Sequence, residues 1–366
     1  MQTRRFLIFI AIVQTILWLG HAALYATAAT FLPVDHTTAF WTLLGLSLTL
    51  ITASLLAHRS NHPWVRLYYL IAVFWLGLGH FLLIASGMTW AAWAAIAVFD
   101  WNTEPYRLGG VMLMLAIIAA AFATANARTI RTTRYTVALP DLPDQWRGRT
   151  AVWISDSHLG HINGAPYARR LARRIRRLQP DIVFLGGDIF DGVPYDLDTL
   201  IAPLAEIAPP LGSFFITGNH EEFGDPERFL APVRNSGITT LVNDSTDIDN
   251  LRIIGVEYGE SAHPTRYDRL LARLTADTDH PTILLKHSPT GLSIAAKHGI
   301  DLQISGHTHR GQLFPFHWIT RRVYGDFDYG LRIHGSLSVL ASSGAGTWGP
   351  PMRLASPTEI VTISFS

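Results

Sequence analysis

Residues 301–312 read DLQISGHTHRGQ, and this stretch decides both the fold and the kind of site that we expect. The short apolar run at 302–305 predicts a buried strand, and Gly306 marks its end. His307 and His309 follow directly, two positions apart. Side chains with that spacing on an extended chain point to one face, so each imidazole can bind a different ion of a close pair. The spacing therefore suits a dinuclear metal site at a strand end.

Composition divides the chain of 366 residues into an apolar part and a polar part. Hydrophobic residues make up 49% and charged residues 16%, and charges are almost absent from residues 6–127. The net charge of +1 implies no particular partner. The chain has no cysteine, which excludes disulfides, thiolate metal sites and thiol nucleophiles.

Apolar stretches in the first third predict a transmembrane domain over residues 1–127. Each stretch is close to the ~20 residues that cross a bilayer. The four predicted spans are 6–31, 38–57, 66–87 and 108–126. Basic residues precede the first span, separate the second from the third and follow the fourth, which by the positive-inside rule makes both termini cytoplasmic. We therefore expect a multi-pass protein of the cell inner membrane with its catalytic domain in the cytoplasm.

Three features of this region allow a second interpretation. The apolar stretch 88–99 is short and predicts an interfacial or re-entrant piece, whereas a fifth span there would reverse the topology. The residues TRRFL at 3–7 resemble a twin-arginine export signal, which would not explain the later spans. His21 and His80 lie inside spans, and we expect neutral histidines hydrogen-bonded between helices rather than functional groups.

After a linker at 128–147, residues 148–366 predict a layered α/β domain. Short β-rich runs such as TAVWIS (150–155), DIVFLGG (181–187) and SFFITG (213–218) alternate with helical segments. The last strands have no helix between them, which indicates a mixed sheet. Polar clusters follow five of the strands, and ligands bind beyond the carboxyl ends of strands in open α/β sheets. These clusters contain Asp156, His158, Asp188, Asp191, Asn219, His220, His287, His307 and His309.

This set of donors predicts metal binding. Carboxylates, imidazoles and an amide suit Mn, Fe, Zn or Co rather than soft metals. The set is too large for one ion, so we expect two divalent ions that share a bridging carboxylate.

Five motifs together resemble the calcineurin-like metallophosphoesterase superfamily. They are D-x-H at 156–158, G-D-x-x-D at 187–191, G-N-H-E at 218–221, K-H-S-P at 286–289 and G-H-T-H at 306–309. The framing sequence ISDSHLG (154–160) and the tail GAGTWGPPMRLASPTEI (344–360) resemble its bacterial membrane-associated branch, of the YkuE or YaeI type. The resemblance covers about residues 145–366 and implies an α-β-β-α sandwich with mixed sheets.

The resemblance also implies a role for each motif residue. Asp156, His158 and His309 would hold one metal ion. Asn219, His287 and His307 would hold the other, and Asp188 would bridge the two. A hydroxide shared by the ions would attack phosphorus. His220 would donate a proton to the leaving group, and Asp191 would orient His220.

Other interpretations stay open for several residues. Asp156 and Asp188 also suit helix N-caps. Glu221 is expected in the first turn of a helix rather than as a ligand, and His161 is expected to be exposed. Arg310 replaces the glycine that this branch usually has after G-H-T-H. It is either a phosphate-binding group or a solvent-exposed arginine.

The segment YARRLARRIRRLQP at 167–180 predicts an amphipathic helix with six arginines and no acid. Its apolar positions suit packing on the sheet, and its basic face favours anionic lipid headgroups over nucleic acid. We therefore expect the substrate to be a phosphodiester or pyrophosphate, and a lipid-linked form such as a phospholipid is one candidate. The alternatives are a phosphomonoesterase, a nucleotide or nucleic-acid phosphodiesterase with the same metals, a non-catalytic receptor, and a transporter.

Overall fold

The computed structural model describes residues 2–192, 195–222, 225–277 and 279–366. The chain forms two compact units. The first comprises Met1–Ala125 and Gly349–Met352, and the second comprises Asn126–Trp348 and Arg353–Ser366. The side chains of Thr3 and Arg5, which belong to the twin-arginine-like stretch, lie outside the described part of the chain.

The first unit contains long apolar helices. They are α1 (Gln2–Phe31), α2 (His36–Ala57), α3 (Pro63–Val98) and α4 (Pro105–Arg128). All four are long and apolar enough to cross a membrane, so the predicted spans are confirmed as candidate membrane helices. Asp35 caps α2 by accepting a hydrogen bond from the Thr38 amide, and proline at the first turn of α3 supplies a preset helical φ.

The predicted separate piece at 88–99 is wrong, because residues 88–98 continue α3 without a break. Gly87 lies at the junction, and a glycine inside a helix costs only about 1 kcal/mol relative to alanine. The residues after Gly87, with several alanines and two tryptophans among them, continue the helix to Val98. No turn interrupts the helix, so this stretch does not form a separate fifth span. The alternative with reversed topology therefore has no support in this helix.

His21 joins α1 to α3 as a neutral histidine would. Its Nδ1 lies 2.8 Å from the carbonyl oxygen of Leu17, and the indole N–H of Trp75 donates to its Nε2 at 2.9 Å. One ring nitrogen therefore donates and the other accepts. The expected hydrogen-bonded histidine between helices is confirmed at this position.

The second unit contains two mixed six-stranded sheets, as predicted. The first sheet has the order β1-β12-β2-β3-β4-β5 and the second has the order β10-β11-β9-β8-β7-β6. The strands of the first sheet are β1 (Ile130–Val137), β2 (Thr150–Ile154), β3 (Ile182–Gly186), β4 (Ser213–Ile216), β5 (Thr239–Thr240) and β12 (Thr358–Phe365). The strands of the second sheet are β6 (Asp244–Ile248), β7 (Leu251–Gly255), β8 (Thr282–Leu285), β9 (Leu302–Ser305), β10 (Gly330–His334) and β11 (Leu337–Ala341).

Helices cover the outer faces of the two sheets. The helices of this unit, in chain order, are α5 (Ala165–Arg177), α6 (Leu197–Ala205), α7 (Glu227–Asn235), α8 (Tyr258–Ser261), α9 (Pro264–Leu274), α10 (Leu292–Lys297) and α11 (His317–Tyr324). Apolar residues of α5–α7 form one core with the first sheet, and those of α9 and α10 form another with the second sheet. A third core joins the two sheets and contains Trp153, Phe184, Ile283 and Leu285. Burial between the layers is the main stabilising term of such a sandwich.

The second unit begins at an earlier residue than the sequence analysis predicted. Residues 128–147 were expected to be a linker, but β1 pairs in parallel with the whole of β12. Ile130, Val137 and Trp146 are buried. Only Thr129 separates the end of α4 from the start of β1, so the sheet begins directly after the last apolar helix.

Candidate metal centre

The strand ends bring the predicted polar clusters together. Strands β2, β3 and β4 are parallel neighbours in the first sheet, and β8 and β9 are parallel neighbours in the second. Their carboxyl ends lead into the five motifs. The structure brings side chains from both sheets together in groups that could hold a metal ion.

The first group consists of Asp156, His158 and His309, whose donor atoms all lie within 4.8 Å of one another. The Nε2 atoms of His158 and His309 are 3.1 Å apart. Asp156 Oδ1 lies 3.5 Å from His309 Nε2. Two imidazole nitrogens and a carboxylate oxygen at these separations have the spacing of neighbouring ligands around one ion of zinc size.

The second group consists of Asp188, His287 and His307. Asp188 Oδ2 lies 3.3 Å from His287 Nε2 and 4.0 Å from His158 Nε2. Asp188 therefore lies between the two groups, within reach of a ligand of each. The Nδ1 of His287 lies 2.8 Å from the carbonyl oxygen of Gly186, which fixes the ring so that Nε2 points into the centre.

The environment of Asn219 also fits a bound divalent ion. Within the part of the chain that the structure describes, the buried Oδ1 atom of Asn219 makes no hydrogen bond. A buried amide oxygen without a partner costs about 1–3 kcal/mol, and a cation supplies what it lacks. The set of carboxylate, imidazole and amide donors suits Mn, Fe or Zn.

The backbone around these donors is held in an uncommon conformation. Non-glycine residues with positive φ recur at the site, and such residues cost on the order of 1–3 kcal/mol each where the surroundings impose them. The site residues in this conformation are Asp156, His158, Asp188, His307 and His309, with φ of 53°, 44°, 49°, 70° and 47°. The fold therefore holds the backbone in an energetically unfavourable conformation that directs these side chains into the site.

Glu221 is a positioning residue that the sequence interpretation assigned wrongly. It lies in a turn, and α7 begins only at Glu227, so it is not a first-turn helix residue. Its buried carboxylate accepts hydrogen bonds from the amides of Asp188 and Gly218, both at 2.8 Å, and of Phe190 at 3.1 Å. One side chain thus joins the loops that follow β3 and β4.

Asp191 lies closer to His158 than to His220. Its Oδ1 is 3.3 Å from His158 Nδ1 and 3.9 Å from His220 Nδ1, and the three residues form a third group of potential ligands. The amide of His220 donates to Asp188 Oδ1 at 2.9 Å, which fixes the loop carrying that imidazole. Asp191 is therefore placed to orient His158 as well as His220.

Arg353 is a residue that the sequence interpretation missed. It is fully buried, and its guanidinium lies 3.0 Å from His309 Nδ1 through Nη2. It also donates to the carbonyl oxygens of Gly346 and Pro357. The arginine sits in the carboxyl-terminal tail, outside all five motifs, so no local signal marked it except its place in the family-like tail.

Burial and charge set the protonation of the centre. Burial disfavours charge on His287, but the carboxylates of Asp188 and Asp156 outweigh it and raise its pKa to about 10. Burial and the charge on His287 lower the pKa of His307 to about 3. Burial opposes ionisation of Asp188 as well, yet the surrounding histidines hold its pKa below the usual value. The centre is therefore a site of strongly perturbed groups, as functional sites commonly are.

Four predictions about neighbouring residues can be compared with the structure. Asp156 and Asp188 are not N-caps, because Gly164 caps α5 and Asp196 caps α6. His161 is buried rather than exposed, with its ring 6.0 Å from that of Tyr195. The Arg310 guanidinium lies 4.4 Å above the ring of Tyr329, so an aromatic contact holds it. Its phosphate-binding role stays a prediction.

Comparison with known proteins agrees with this architecture. The model of the calcineurin-like phosphoesterase family matches residues 150–311. An uncharacterized metallophosphoesterase of Aquifex aeolicus is 33% identical over 261 residues, which cover 69% of this chain and 98% of that protein. A Bos taurus transmembrane protein with metallophosphoesterase domain is 29% identical and aligns over 77% of this chain and 69% of its own length.

Two further likenesses have lower identity. The uncharacterized metallophosphoesterase YkuE of Bacillus subtilis is 26% identical over 64% of this chain and 85% of its own. The crystal structure of a dimetal phosphatase from Danio rerio has a TM-score of 0.37 and 16% identity, covering 54% of this chain and 87% of that chain.

The chain belongs to the calcineurin-like phosphoesterase family. It is therefore a metal-dependent phosphoesterase of the hydrolase class that also carries candidate transmembrane helices.

Proposed function

We propose that this protein is a membrane-bound phosphoesterase with a two-ion centre that hydrolyses a phosphodiester or pyrophosphate carried on a lipid. The observation that carries the two-ion centre is the position of Asp188 between two groups of donors. Asp156, His158 and His309 would hold one divalent ion, Asn219, His287 and His307 the other, and Asp188 both.

The protein residues divide the chemistry between binding and proton transfer. Divalent ions bound there would supply Lewis acidity for the phosphoryl group and would lower the pKa of bound water to near neutrality. The partly buried His220 is the general acid, and it donates a proton to the leaving-group oxygen. Asp191, which faces both His220 and His158, holds the two imidazoles in orientation.

Two features support a lipid-linked substrate. Four helices long and apolar enough to cross a membrane precede the sheet in the same chain. In addition, α5 buries Ala168, Leu171, Ala172 and Ile175 against the sheet, and it keeps most of its arginines on the outer side. A bilayer with anionic headgroups attracts such a face by about 1 kcal/mol for each basic residue near its surface.

Part of the α5 basic face is already engaged within the protein. Arg174 donates to the carbonyl oxygen of Ile130 at 2.7 Å, and Arg176 lies 3.4 Å from a carboxylate oxygen of Glu206. Arg170 stacks over Tyr167. The exposed Arg169, Arg173 and Arg177 are thus the residues that contribute most to attraction toward headgroups.

The same proposal places the catalytic unit on the cytoplasmic side of the inner membrane. Arg59 and Arg66 lie between α2 and α3 or in the first turn of α3, and Arg128 ends α4. On the opposite side, Arg107 in the first turn of α4 is the basic residue. The positive-inside rule assigns the more basic side to the cytoplasm.

The test combines metal analysis with a substrate panel. The full-length protein, purified in detergent and loaded with Mn, Fe or Zn, is expected to hold two ions per chain by mass spectrometry of its metals. It should hydrolyse lipid-linked diesters or pyrophosphates faster than soluble nucleotide diesters and monoesters. One ion per chain, or preference for lipid-free nucleotides, contradicts the respective half of the proposal.

A further inference from the structure

The helix α11 exposes apolar side chains over a face that no described residue of the chain covers. None of its eight residues is buried. Trp318, Ile319 and Val323 are exposed by 62%, 59% and 66%, and Phe316 at its N-cap is exposed as well. Single exposed apolar residues are ordinary, but several together on one short helix mark a contact surface.

These residues share one side of the helix. Phe316, Ile319 and Val323 are spaced by three and four positions, so they lie on the same face. Trp318 borders them, and its ring lies 5.3 Å from Phe314 and 5.4 Å from His317. The aromatic contacts hold the tryptophan in place. We refer to Phe316, Trp318, Ile319 and Val323 as the α11 apolar face.

The helix is connected to the candidate metal centre. Tyr324, its last residue, lies 6.2 Å from the ring of His307. Its Thr320 hydroxyl donates to Asp328 at 3.3 Å, and the backbone carbonyl of Asp328 accepts from Thr308 in the G-H-T-H motif. The α11 apolar face is therefore rigidly tied to the loop that carries His307 and His309.

A second exposed aromatic residue borders the centre. Trp348 is 59% exposed, and its ring lies 6.2 Å from that of His220. The side chain of Gln312, between G-H-T-H and α11, bonds both the amide and the carbonyl of Trp348 at 2.9 Å. Apolar surface thus lies both on α11 and next to the proposed general acid.

The charges on α11 identify the partner. Arg321 and Arg322 are exposed on the same helix, and the Arg321 pair with Asp326 at 3.1 Å is itself exposed and therefore weak. Tryptophan, phenylalanine and aliphatic residues beside arginines are typical of a helix that lies in a membrane interface.

We propose that the α11 apolar face inserts into the headgroup–acyl boundary of the phospholipid bilayer that holds the candidate transmembrane helices of the same chain. In sequence, Thr129 alone separates α4 from the first strand of the second unit, so the chain tethers this unit to the bilayer that α4 would cross. The insertion of the α11 apolar face into the bilayer does not depend on the proposed function. The role of this insertion, which is to present a lipid-linked phosphate to the metal centre, does rest on the proposed function.

The test places a reporter on α11 of the full chain. The protein has no cysteine, so Ile319→Cys labelled with a polarity-sensitive fluorophore gives one reporter. The matched control is Ala272→Cys on the exposed side of α9. Both are reconstituted in nanodiscs of phosphatidylcholine and phosphatidylglycerol, with or without nitroxide groups on the acyl chains.

We expect the label at position 319 to shift to shorter emission wavelength and to lose roughly half of its intensity or more to the nitroxide lipids, as insertion at the interface requires. The control label should change little. Equal responses at the two positions overturn the proposal. Disulfide-linked dimers of the unlabelled Ile319→Cys protein under oxidation, together with no lipid quenching of the labelled protein, identify a second copy as the occupant and also overturn it. Val323→Cys is the second reporter if Ile319→Cys fails to fold.

A kinetic measurement tests the purpose of the surface separately. Ile319→Ser with Val323→Ser should raise KM for a lipid-linked diester in nanodiscs on the order of tenfold, through lost burial of apolar area. Its rate on soluble bis(p-nitrophenyl) phosphate should match that of Ala272→Ser. Equal losses on both substrates contradict the presentation role. If the unmodified protein hydrolyses no lipid-linked substrate, the proposed function fails while the quenching result still decides the docking surface.

Discussion

Replacement of Glu221 tests how the loops of the metal centre are held. The carboxylate accepts three backbone hydrogen bonds, two through Oε2 from Asp188 and Gly218 and one through Oε1 from Phe190. Glu221→Ala removes all three acceptors from a fully buried position. Glu221→Gln keeps the size and one oxygen, but its amide nitrogen faces one of the three donors.

The hydrogen bonds determine the size of the effect. Each buried N–H left without an acceptor costs about 1–3 kcal/mol. We therefore expect Glu221→Ala, which loses three acceptors, to lower the free energy of unfolding by at least about 3 kcal/mol, and Glu221→Gln, which loses one, to lower it by about 1 kcal/mol. For a domain of the size of the second unit, Tm falls by roughly 2–4 °C for each kcal/mol.

Metal affinity should fall together with stability. The amides that Glu221 holds belong to Asp188 and to Gly218, which precedes Asn219. Loss of such a supporting contact typically costs about 10–100-fold in metal affinity. We expect Glu221→Ala to retain fewer ions than the unmodified protein when both are dialysed against the same metal buffer.

The assay is thermal unfolding of the full-length protein in one detergent, with and without chelator, alongside metal analysis. Glu227→Ala is the matched control, because Glu227 is exposed and pairs with Arg234 at the surface. Its Tm should change little. A Glu221→Ala protein with the Tm and metal content of the control refutes the role of the carboxylate in joining the two loops.

The remaining predictions concern the centre itself. Asp188→Asn should abolish turnover and reduce bound metal, and a fully active variant rules out the shared-ligand arrangement. His220→Ala should lower kcat by about 10²–10⁴ while metal content is unchanged; loss of metal instead makes it a ligand. Because its neighbouring carboxylates raise the pKa of His287 to about 10, metal uptake at pH 8 should release protons and weaken as pH falls, and pH-independent uptake contradicts this.

The local sequence pattern was sufficient to predict features that depend on a single motif or on the hydropathy of one segment. The apolar stretches over 6–31 and 108–126 predicted helices that could cross a membrane, because length and hydropathy alone decide that property. The D-x-H and G-H-T-H motifs marked strand ends, and parallel strands bring such ends together without further information.

Local pattern failed where two distant segments determine the outcome. Strand β1 lay inside the expected linker because its partner β12 is more than 200 residues away in sequence, as the pairing of Ile130 with Thr358 shows. Glu221 was expected in a helix because its neighbours in sequence allow one. Two of its actual partners are the backbone amides of Asp188 and Phe190, in the loop that follows the neighbouring strand β3.

The sequence by itself determined which donors exist, that they follow strands, and that the first third is apolar enough for a membrane. The tertiary structure supplied the distances from Asp188 to the two groups of potential ligands, and it alone decided that Arg353 reaches His309 and that α11 leaves its apolar face uncovered by the described residues. The physical reason is that residue chemistry and periodicity are local properties. Distances between side chains depend instead on how two sheets from separate parts of the chain pack together.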